Sequence, residues 1–231
     1  MDVRDLQSRL AALGLYAGAV DGQFGPKSRA AFLAAVSAPV RRLTDADLAQ
    51  TAQLYGLTAA HVGAVVDVEA SGKGQDLATG RPVIRYEGHQ FRSRTGAVFD
   101  ARYPALSFAY ADRAKRAQPA SQIGRWELLA DAVALVPGAA LESTSFGLGQ
   151  IMGFNYAACG FADVWSFVRA MAAGEREQLA AMLAFLQSQG LLKHLKDKRW
   201  DRLAAGYNGP SYRDNAYDER LAKAYARRGG R

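Results

Sequence analysis

Cysteine and histidine are nearly absent from this chain of 231 residues. The single cysteine, Cys159, excludes an internal disulfide and a cysteine-rich zinc site. The three histidines, His61, His89 and His194, are scattered and leave little room for a histidine-built metal centre. We therefore expect no metal site and no cofactor.

Long apolar runs are missing as well. No window approaches the roughly 18 apolar residues that a membrane-spanning helix needs. Hydrophobic residues make up 49% of the chain and charged residues 22%, which is typical of globular proteins and excludes a disordered or coiled-coil chain. The length allows one large domain or two unequal domains with a sizeable core.

Negative charge is scarce toward the C-terminus. The chain has 29 Lys and Arg against 22 Asp and Glu, a net charge of +7. Residues 190–231 hold eleven of the basic residues and five of the acidic ones, so they carry +6 of that charge. This excess indicates attraction to an anionic polymer or membrane surface, with a solvated basic helix as the alternative. No basic run is interleaved with aromatic residues, so we expect no nucleic-acid partner.

Residues 1–38 are predicted to form a small helical unit. Apolar residues recur at helical spacing from Val3 to Leu13, and the turn-rich segment 18–26 precedes a second short helix at 28–36. A unit of this size is too small for a comfortable core of its own.

A short linker is predicted to join this unit to the rest of the chain. Residues 39–44 contain a proline and two arginines and show no apolar periodicity. Residues 45–231 then form the main domain, whose first helix is capped by Thr44 and Asp47.

A carboxylate on an apolar helix face is the first chemical signal. Val62, Val65 and Val66 are spaced i, i+3 and i+4, and Glu69 follows at i+7. Burial among valines disfavours the anion and raises the pKa of such a carboxyl, as a general acid near neutral pH requires. The alternative is a helix-terminal glutamate paired with Lys73.

A small sheet is predicted next. Alternation over residues 82–87 gives a strand with Ile84 and Tyr86 on one face and Glu87 on the other. Residues 91–99 are expected to complete the sheet.

Two further glutamates are candidates for the chemistry. Glu87 is the natural second carboxylate, and its structural alternative is a salt bridge to Arg85 or Arg81. Glu142 is a rival acid, for which an exposed position at a helix start is the favoured interpretation.

Glycine is concentrated in one segment, residues 143–153. Three glycines within seven residues indicate that something approaches the backbone closely there. Gln150 in this segment is a candidate for hydrogen bonding to a neutral polar ligand. Tyr207 and Asn208 lie in a glycine-bounded turn, where side chains often bind ligands.

The N-terminal unit resembles the small helical peptidoglycan-binding domain of cell-wall hydrolases. The likeness covers residues 3–36 and is carried by Leu6-Gln7, Leu13-Gly14, Asp21-Gly22-Gln23-Phe24-Gly25-Pro26 and Ala31-Phe32. It implies that Asp21, Gly22, Phe24 and Gly25 belong to a wall-binding module.

The remainder, from about residue 44 to 228, resembles the N-acetylmuramidase domain of modular phage endolysins. The motifs are Glu69-Ala70-Ser71-Gly72, Arg85-Tyr86-Glu87-Gly88-His89-Gln90-Phe91 and Ser145-Phe146-Gly147-Leu148-Gly149-Gln150-Ile151-Met152-Gly153. Their order is similar to that of soluble lytic transglycosylases and goose-type lysozymes. The resemblance implies a mainly α fold: an α+β lysozyme-like catalytic domain with a small β-sheet, beside the helical N-terminal module.

The same resemblance assigns roles to residues. Glu69 is the catalytic acid, and the implied saccharide-binding residues are Ser71, Gly147, Gln150, Met152, Tyr207 and Asn208. The second carboxylate is assigned from the residues alone: Glu87 on the polar face of the sheet, with Asp67 and Asp76 as weaker substitutes. The activity implied is that of an endolysin, a glycoside hydrolase that cleaves the MurNAc–GlcNAc β-1,4 bond of peptidoglycan and lyses the host cell. A lytic transglycosylase is the alternative, but it uses the muramyl 6-hydroxyl and needs no second carboxylate, so Glu87 favours hydrolysis.

Other classes fit the residues less well. A wall amidase or peptidase needs zinc ligands or a Cys/His pair, and Cys159 has no histidine near it in sequence. A tail-associated wall-binding protein would need no buried acid. The charged first residues and the missing apolar signal core indicate synthesis in the host cytoplasm. Another factor is then expected to release the protein to the periplasm and wall. We expect the protein to be a monomer.

Overall fold

The computed structural model describes residues 1–69 and 73–230, which fold into α-helices around one small antiparallel sheet. This confirms the mainly α fold expected from the sequence. In chain order the helices are α1 (Val3–Ala12), α2 (Pro26–Ala35), α3 (Asp45–Leu54), α4 (Ala59–Glu69), α5 (Gly88–Arg94), α6 (Gln122–Leu135), α7 (Pro137–Glu142), α8 (Val164–Ala173), α9 (Glu175–Ser188), α10 (Leu192–Lys196), α11 (Trp200–Asn208) and α12 (Tyr217–Arg227). Short 3₁₀ turns cover Arg113–Arg116, Gly153–Asn155, Ala157–Cys159 and Pro210–Asn215.

The turn between α1 and α2 is held by one buried glutamine. The side-chain nitrogen of Gln7 donates to Asp21 Oδ1 at 2.9 Å, and its side-chain oxygen accepts from the Gly22 backbone N–H at 2.9 Å. Phe24 packs edge-on against Phe32, with ring centroids 6.3 Å apart. The Asp-Gly-x-Phe-Gly motif therefore has a structural reason at most of its positions.

The two N-terminal helices bury their apolar face against the rest of the chain. The Phe32 ring lies 6.2 Å from that of Trp126 on α6 and 6.3 Å from that of Trp165 on α8. Arg29 adds an ion pair to Glu127 at 2.6 Å. About 36 residues cannot enclose a core alone, and the shared aromatic cluster supplies what they lack.

The segment 39–44 is firmly bonded along its length. The Arg41 N–H donates to Gln75 Oε1 at 2.8 Å, and the Leu43 N–H donates to Glu175 Oε2 at 3.0 Å. These bonds tie the predicted linker directly to the main domain.

The sheet consists of β1 (Ile84–Tyr86), β2 (Thr144–Phe146) and β3 (Ile151–Met152), antiparallel and in that order. Ile84 pairs with Phe146 in the register of β1 and β2. The prediction that residues 91–99 complete the sheet is wrong. Phe91 lies in α5, where its ring is buried 6.0 Å from Tyr86. The glycine-rich segment supplies the missing strands instead.

Helices α6, α8 and α9 pack around this sheet and form the centre of the core. Trp126, Phe146 and Phe167 are fully buried there. None of the helices in residues 1–69 and 73–230 is long and apolar enough to cross a membrane.

Candidate active site

Glu69 is the last residue of α4, a helix that is buried along most of its length. Val62, Val65 and Val66, which precede it on the same face, are 0%, 2% and 7% exposed. The helix therefore carries the carboxylate from the core to the edge of the protein, as the valine spacing predicts.

The Glu69 carboxylate is bonded by the side chain of Asn208, the last residue of α11. Asn208 Nδ2 lies 3.2 Å from Oε1 and 3.1 Å from Oε2. Gly209 follows with φ +81°, a left-handed conformation that ends the helix and leaves the Asn208 side chain at its tip. Among the described residues the buried Asn208 Oδ1 has no hydrogen-bond partner.

Burial raises the pKa of Glu69 from 4.5 to about 6, and the Asn208 hydrogen bond and the positive charge of Arg220 partly offset this rise. A carboxyl with such a pKa keeps a useful protonated fraction near neutral pH. Glu69 can therefore deliver a proton to a leaving oxygen.

Tyr207 connects α11 to the β2–β3 hairpin beside the acid. Its hydroxyl donates to the Gly149 carbonyl at 2.9 Å. Burial, and secondarily the charge of Glu69, raise the pKa of Tyr207 well above its usual range, so the hydroxyl stays a neutral donor. A Cβ at Gly149 would lie 2.7 Å from the tyrosine oxygen, which explains the glycine.

The glycine-rich segment is approached by the protein's own side chains. A Cβ at Gly147, whose φ is +68°, would lie 2.6 Å from the Gln178 side-chain amide. Gln178 is buried on α9; its Oε1 accepts from the Leu148 N–H at 2.9 Å and its Nε2 donates to the Gly74 carbonyl at 3.2 Å. One side chain thus joins the hairpin to the segment that follows Glu69.

Gln150 is exposed at the tip of the hairpin, with φ +45°. Its Nε2 donates to the carbonyls of Gly147 at 2.8 Å and Val83 at 3.1 Å, and its Oε1 accepts from Ser145 Oγ at 3.0 Å. The amide is therefore engaged in holding the hairpin against β1. Met152 lies on β3 opposite Ser145.

Glu87 directly precedes α5, and its carboxylate lies beside two neighbours. Its carboxylate accepts from Arg85 Nε at 2.6 Å, and His89 Nδ1 lies 3.4 Å from it. The salt bridge left open as the structural alternative for Glu87 is thus present, made by Arg85. Glu142 ends α7, so its expected position at a helix start is wrong, and its carboxylate lies 3.3 Å from Arg94 Nε.

Five predicted site residues remain, four of which the structure describes. Ser71 lies outside the described residues. Asp21, Gly22, Phe24 and Gly25 all lie in the turn between α1 and α2. Within the described part of the chain, no group of three His, Cys, Asp or Glu side chains is placed to hold a metal ion.

A family model described as N-acetylmuramidase matches residues 58–228, which include the whole Glu69 region and most of the chain. The chain belongs to the N-acetylmuramidase family. The protein is therefore a glycoside hydrolase, and its substrate is peptidoglycan.

Two further comparisons bear on this muramidase. A model of a putative peptidoglycan-binding domain matches residues 1–32. The crystal structure of the Burkholderia AP3 phage endolysin is similar with a TM-score of 0.73 and 35% sequence identity, over 98% of this chain and 95% of that one. The comparison with curated proteins gave no match.

Three residues around the candidate site were not identified from the sequence. Arg220 donates from α12 to the Val68 carbonyl at 3.2 Å. Glu175, 2% exposed, accepts from the Gly74 N–H at 2.8 Å and forms an ion pair with Arg42. Gln178 and Glu175 occupy the first turn of a helix, where polar residues are ordinarily exposed, so nothing local distinguishes them.

Proposed function

We propose that the protein is a two-module phage endolysin that lyses its host by cutting the MurNAc–GlcNAc β-1,4 bond. Residues 1–38 are the wall-binding module, 39–44 the connection and 45–231 the catalytic domain. The match of the wall-binding model at 1–32 and the likeness to a phage endolysin over nearly the whole chain support this organisation.

Glu69 is the general acid in this proposal. The observation that carries it is a partly buried carboxyl with a pKa of about 6 at the end of a buried helix, bonded by one neutral amide. Glu69 protonates the glycosidic oxygen as the bond breaks. The Asn208 N–H then bonds to a full negative charge, and hydrogen bonds to charged groups are stronger than neutral ones, so Asn208 stabilises the product state.

Glu87 is proposed as the second carboxylate, which orients the attacking water or stabilises the oxocarbenium-like state. Its ion pair with Arg85 fixes its orientation beside the sheet, and the His89 ring lies next to it. The hairpin residues Gly147, Gln150 and Met152, together with Ser71, Tyr207 and Asn208, are proposed to form the saccharide cleft.

Glu69→Gln tests the acid, with Glu142→Gln as the matched control. General acid catalysis contributes about 10²–10⁴-fold, so Glu69→Gln lowers turnover of purified peptidoglycan by that factor while Glu142→Gln does not. Mass spectrometry of the wild-type digest identifies the bond. We expect reducing muramic ends; 1,6-anhydro ends would mean a transglycosylase, and reducing glucosamine ends a different glycosidase.

The wall-binding module presents a groove of about 480 Å³ lined by Tyr16, Asp21, Gln23 and Lys27, among others. We propose that wall fragments bind there. Replacing Lys27 by Glu is expected to weaken pull-down on purified wall more than it lowers activity on soluble fragments. Unchanged pull-down would contradict this assignment.

The basic C-terminal stretch is proposed to speed arrival at an anionic wall or outer-membrane surface. Lys193, Lys196 and Lys223 are exposed there. The protein is proposed to act as a monomer after another factor releases it from the host cytoplasm.

A further inference from the structure

The last turn of the catalytic helix is held by α12. A helix leaves its last carbonyls without partners inside the helix, and α4 ends at Glu69. Arg220 Nη2 donates to one of these carbonyls, that of Val68, at 3.2 Å. A cation at a helix C-terminus also offsets the negative end of the helix dipole.

A second arginine holds the same turn from the other end of α12. Arg228, which caps the C-terminus of α12, makes a bidentate ion pair with Asp67, at 2.9 Å through Nε and 2.6 Å through Nη2. Asp67 and Val68, the two residues that directly precede the acid, are therefore each bonded to an arginine from α12.

A glycine inside α4 makes room for this contact. Gly63 is buried in the middle of the helix, where glycine costs about 1 kcal/mol relative to alanine. A Cβ at Gly63 would lie 2.5 Å from Cδ and Nε of Arg228. Alanine would fit the helix better, so Arg228 is the structural reason for the glycine.

Among the residues that the structure describes, the charged and neutral groups of three helices bear on the titration of Glu69. On its own helix, Asp67 is paired with Arg228 and lies 3.9 Å from Arg227. From α11, Asn208 and Tyr207 contribute neutral groups. On α12, Glu219 pairs with Lys223, and Arg220 is the cation whose charge favours the ionised form of Glu69.

We propose that Arg220 and Arg228 are positioning residues of this muramidase, through which α12 fixes and tunes the catalytic acid. Arg228 fixes the last turn of α4 through Asp67. Arg220 caps that turn and places its positive charge near the Glu69 carboxylate. This inference rests on the proposal that Glu69 is the general acid.

The pH profile tests Arg220. We measure kcat/KM on soluble peptidoglycan fragments for Arg220→Gln, Arg220→Lys and Lys223→Gln, the last an exposed cation on the same helix. Loss of the cation raises the pKa of Glu69, so the alkaline midpoint of Arg220→Gln moves upward from about 6. Activity at pH 8 relative to the maximum then rises tenfold for each pH unit by which the midpoint moves. Arg220→Lys and Lys223→Gln keep the wild-type midpoint.

Two readouts keep the test decisive. Carboxyl NMR of Glu69 reports its titration directly, without turnover. Because Arg220 is exposed, rising salt is expected to move the wild-type midpoint in the same direction. An alkaline midpoint of Arg220→Gln that is unchanged or lower overturns the role of Arg220, whereas an active Glu69→Gln variant overturns the proposed acid instead.

A double-mutant cycle tests Arg228. Gly63→Ala displaces Arg228 from Asp67, so it lowers kcat with little change in KM, as Arg228→Gln does. In the Arg228→Gln background, Gly63→Ala has no further effect on kcat, because the contact it breaks is already gone. Additive losses of kcat would overturn the role of Arg228.

Discussion

The raised pKa of Glu69 makes a prediction about stability that is independent of activity. A carboxyl whose pKa is about 6 when folded and 4.5 when unfolded destabilises the fold wherever it is ionised. The difference between these two pKa values, about 1.5, corresponds to about 2 kcal/mol. Replacement of Glu69 by glutamine removes this cost, so the Glu69→Gln variant is expected to be more stable than the wild type at neutral pH.

The sign and the pH window follow from the two pKa values. Below pH 4.5 both states are protonated, and the substitution changes stability little. Between pH 4.5 and 6 the unfolded state ionises first, and the advantage of Glu69→Gln grows. Above pH 6 it levels off at about 2 kcal/mol, a rise in Tm of about 4–8 °C for a chain of this size.

Local bonding supports the substitution. The introduced amide keeps an oxygen for the Asn208 N–H and offers a donor to Asn208 Oδ1, which is buried without a partner among the described residues. Thermal unfolding of Glu69→Gln and wild type from pH 4 to pH 8 is the measurement. Glu219→Gln, at a side chain 67% exposed, is the control and is expected to change stability by less than about 0.5 kcal/mol. An advantage that is absent at pH 8, or equally large at pH 4, would refute the reasoning.

Three further predictions concern the surroundings of the acid and the surface. Asn208→Leu removes a bond that favours the ionised form of Glu69, so the alkaline limb of the pH profile moves upward while kcat falls. Gln178→Met leaves the Leu148 N–H without its partner, whereas the Gly74 carbonyl keeps the Val83 N–H. The unpaired group costs about 1–3 kcal/mol, which is read from denaturant unfolding, and a smaller loss would mean that water replaces the amide. Joint replacement of Lys193, Lys196 and Lys223 by glutamine is expected to slow lysis of permeabilised cells at low salt but to leave hydrolysis of soluble fragments unchanged. A variant whose lysis rate depends on salt as that of the wild type does would contradict a steering role.

Local signals predict the helices well. Thr44 and Asp47 form the capping box that the sequence indicates, and in α9 the buried residues Leu179, Met182, Leu183 and Leu186 recur at helical spacing. These features depend on residues a few positions apart. The sheet depends on pairing between β1 and a hairpin about 60 residues later, so the aromatic residues at 91–99 were a poor guide to its second strand.

The candidate site also combines features that depend on nearby residues with features that depend on distant ones. The place of Glu69 at the end of an apolar helix face follows from four residues of one helix, so the sequence alone predicts it. The neighbours that explain the glycines do not: Gln178 reaches Leu148 across 30 positions, and Tyr207 reaches Gly149 across 58. A single sequence therefore shows that a backbone is closely approached, but not whether a ligand or a side chain of the same chain approaches it.

The basic residues of the C-terminal stretch differ in what they contact. The excess charge of residues 190–231 predicts a surface for anionic polymers, yet Arg220 and Arg228 are bonded to α4. An arginine presents several fixed N–H donors, which suits a carbonyl or a bidentate carboxylate, whereas lysine is a compact charge on a flexible stem. The exposed lysines are therefore the residues to which we assign the proposed surface role. Removing arginines from this region is expected to change the titration of Glu69. Removing lysines is expected to change only the salt-dependent arrival of the protein at the wall.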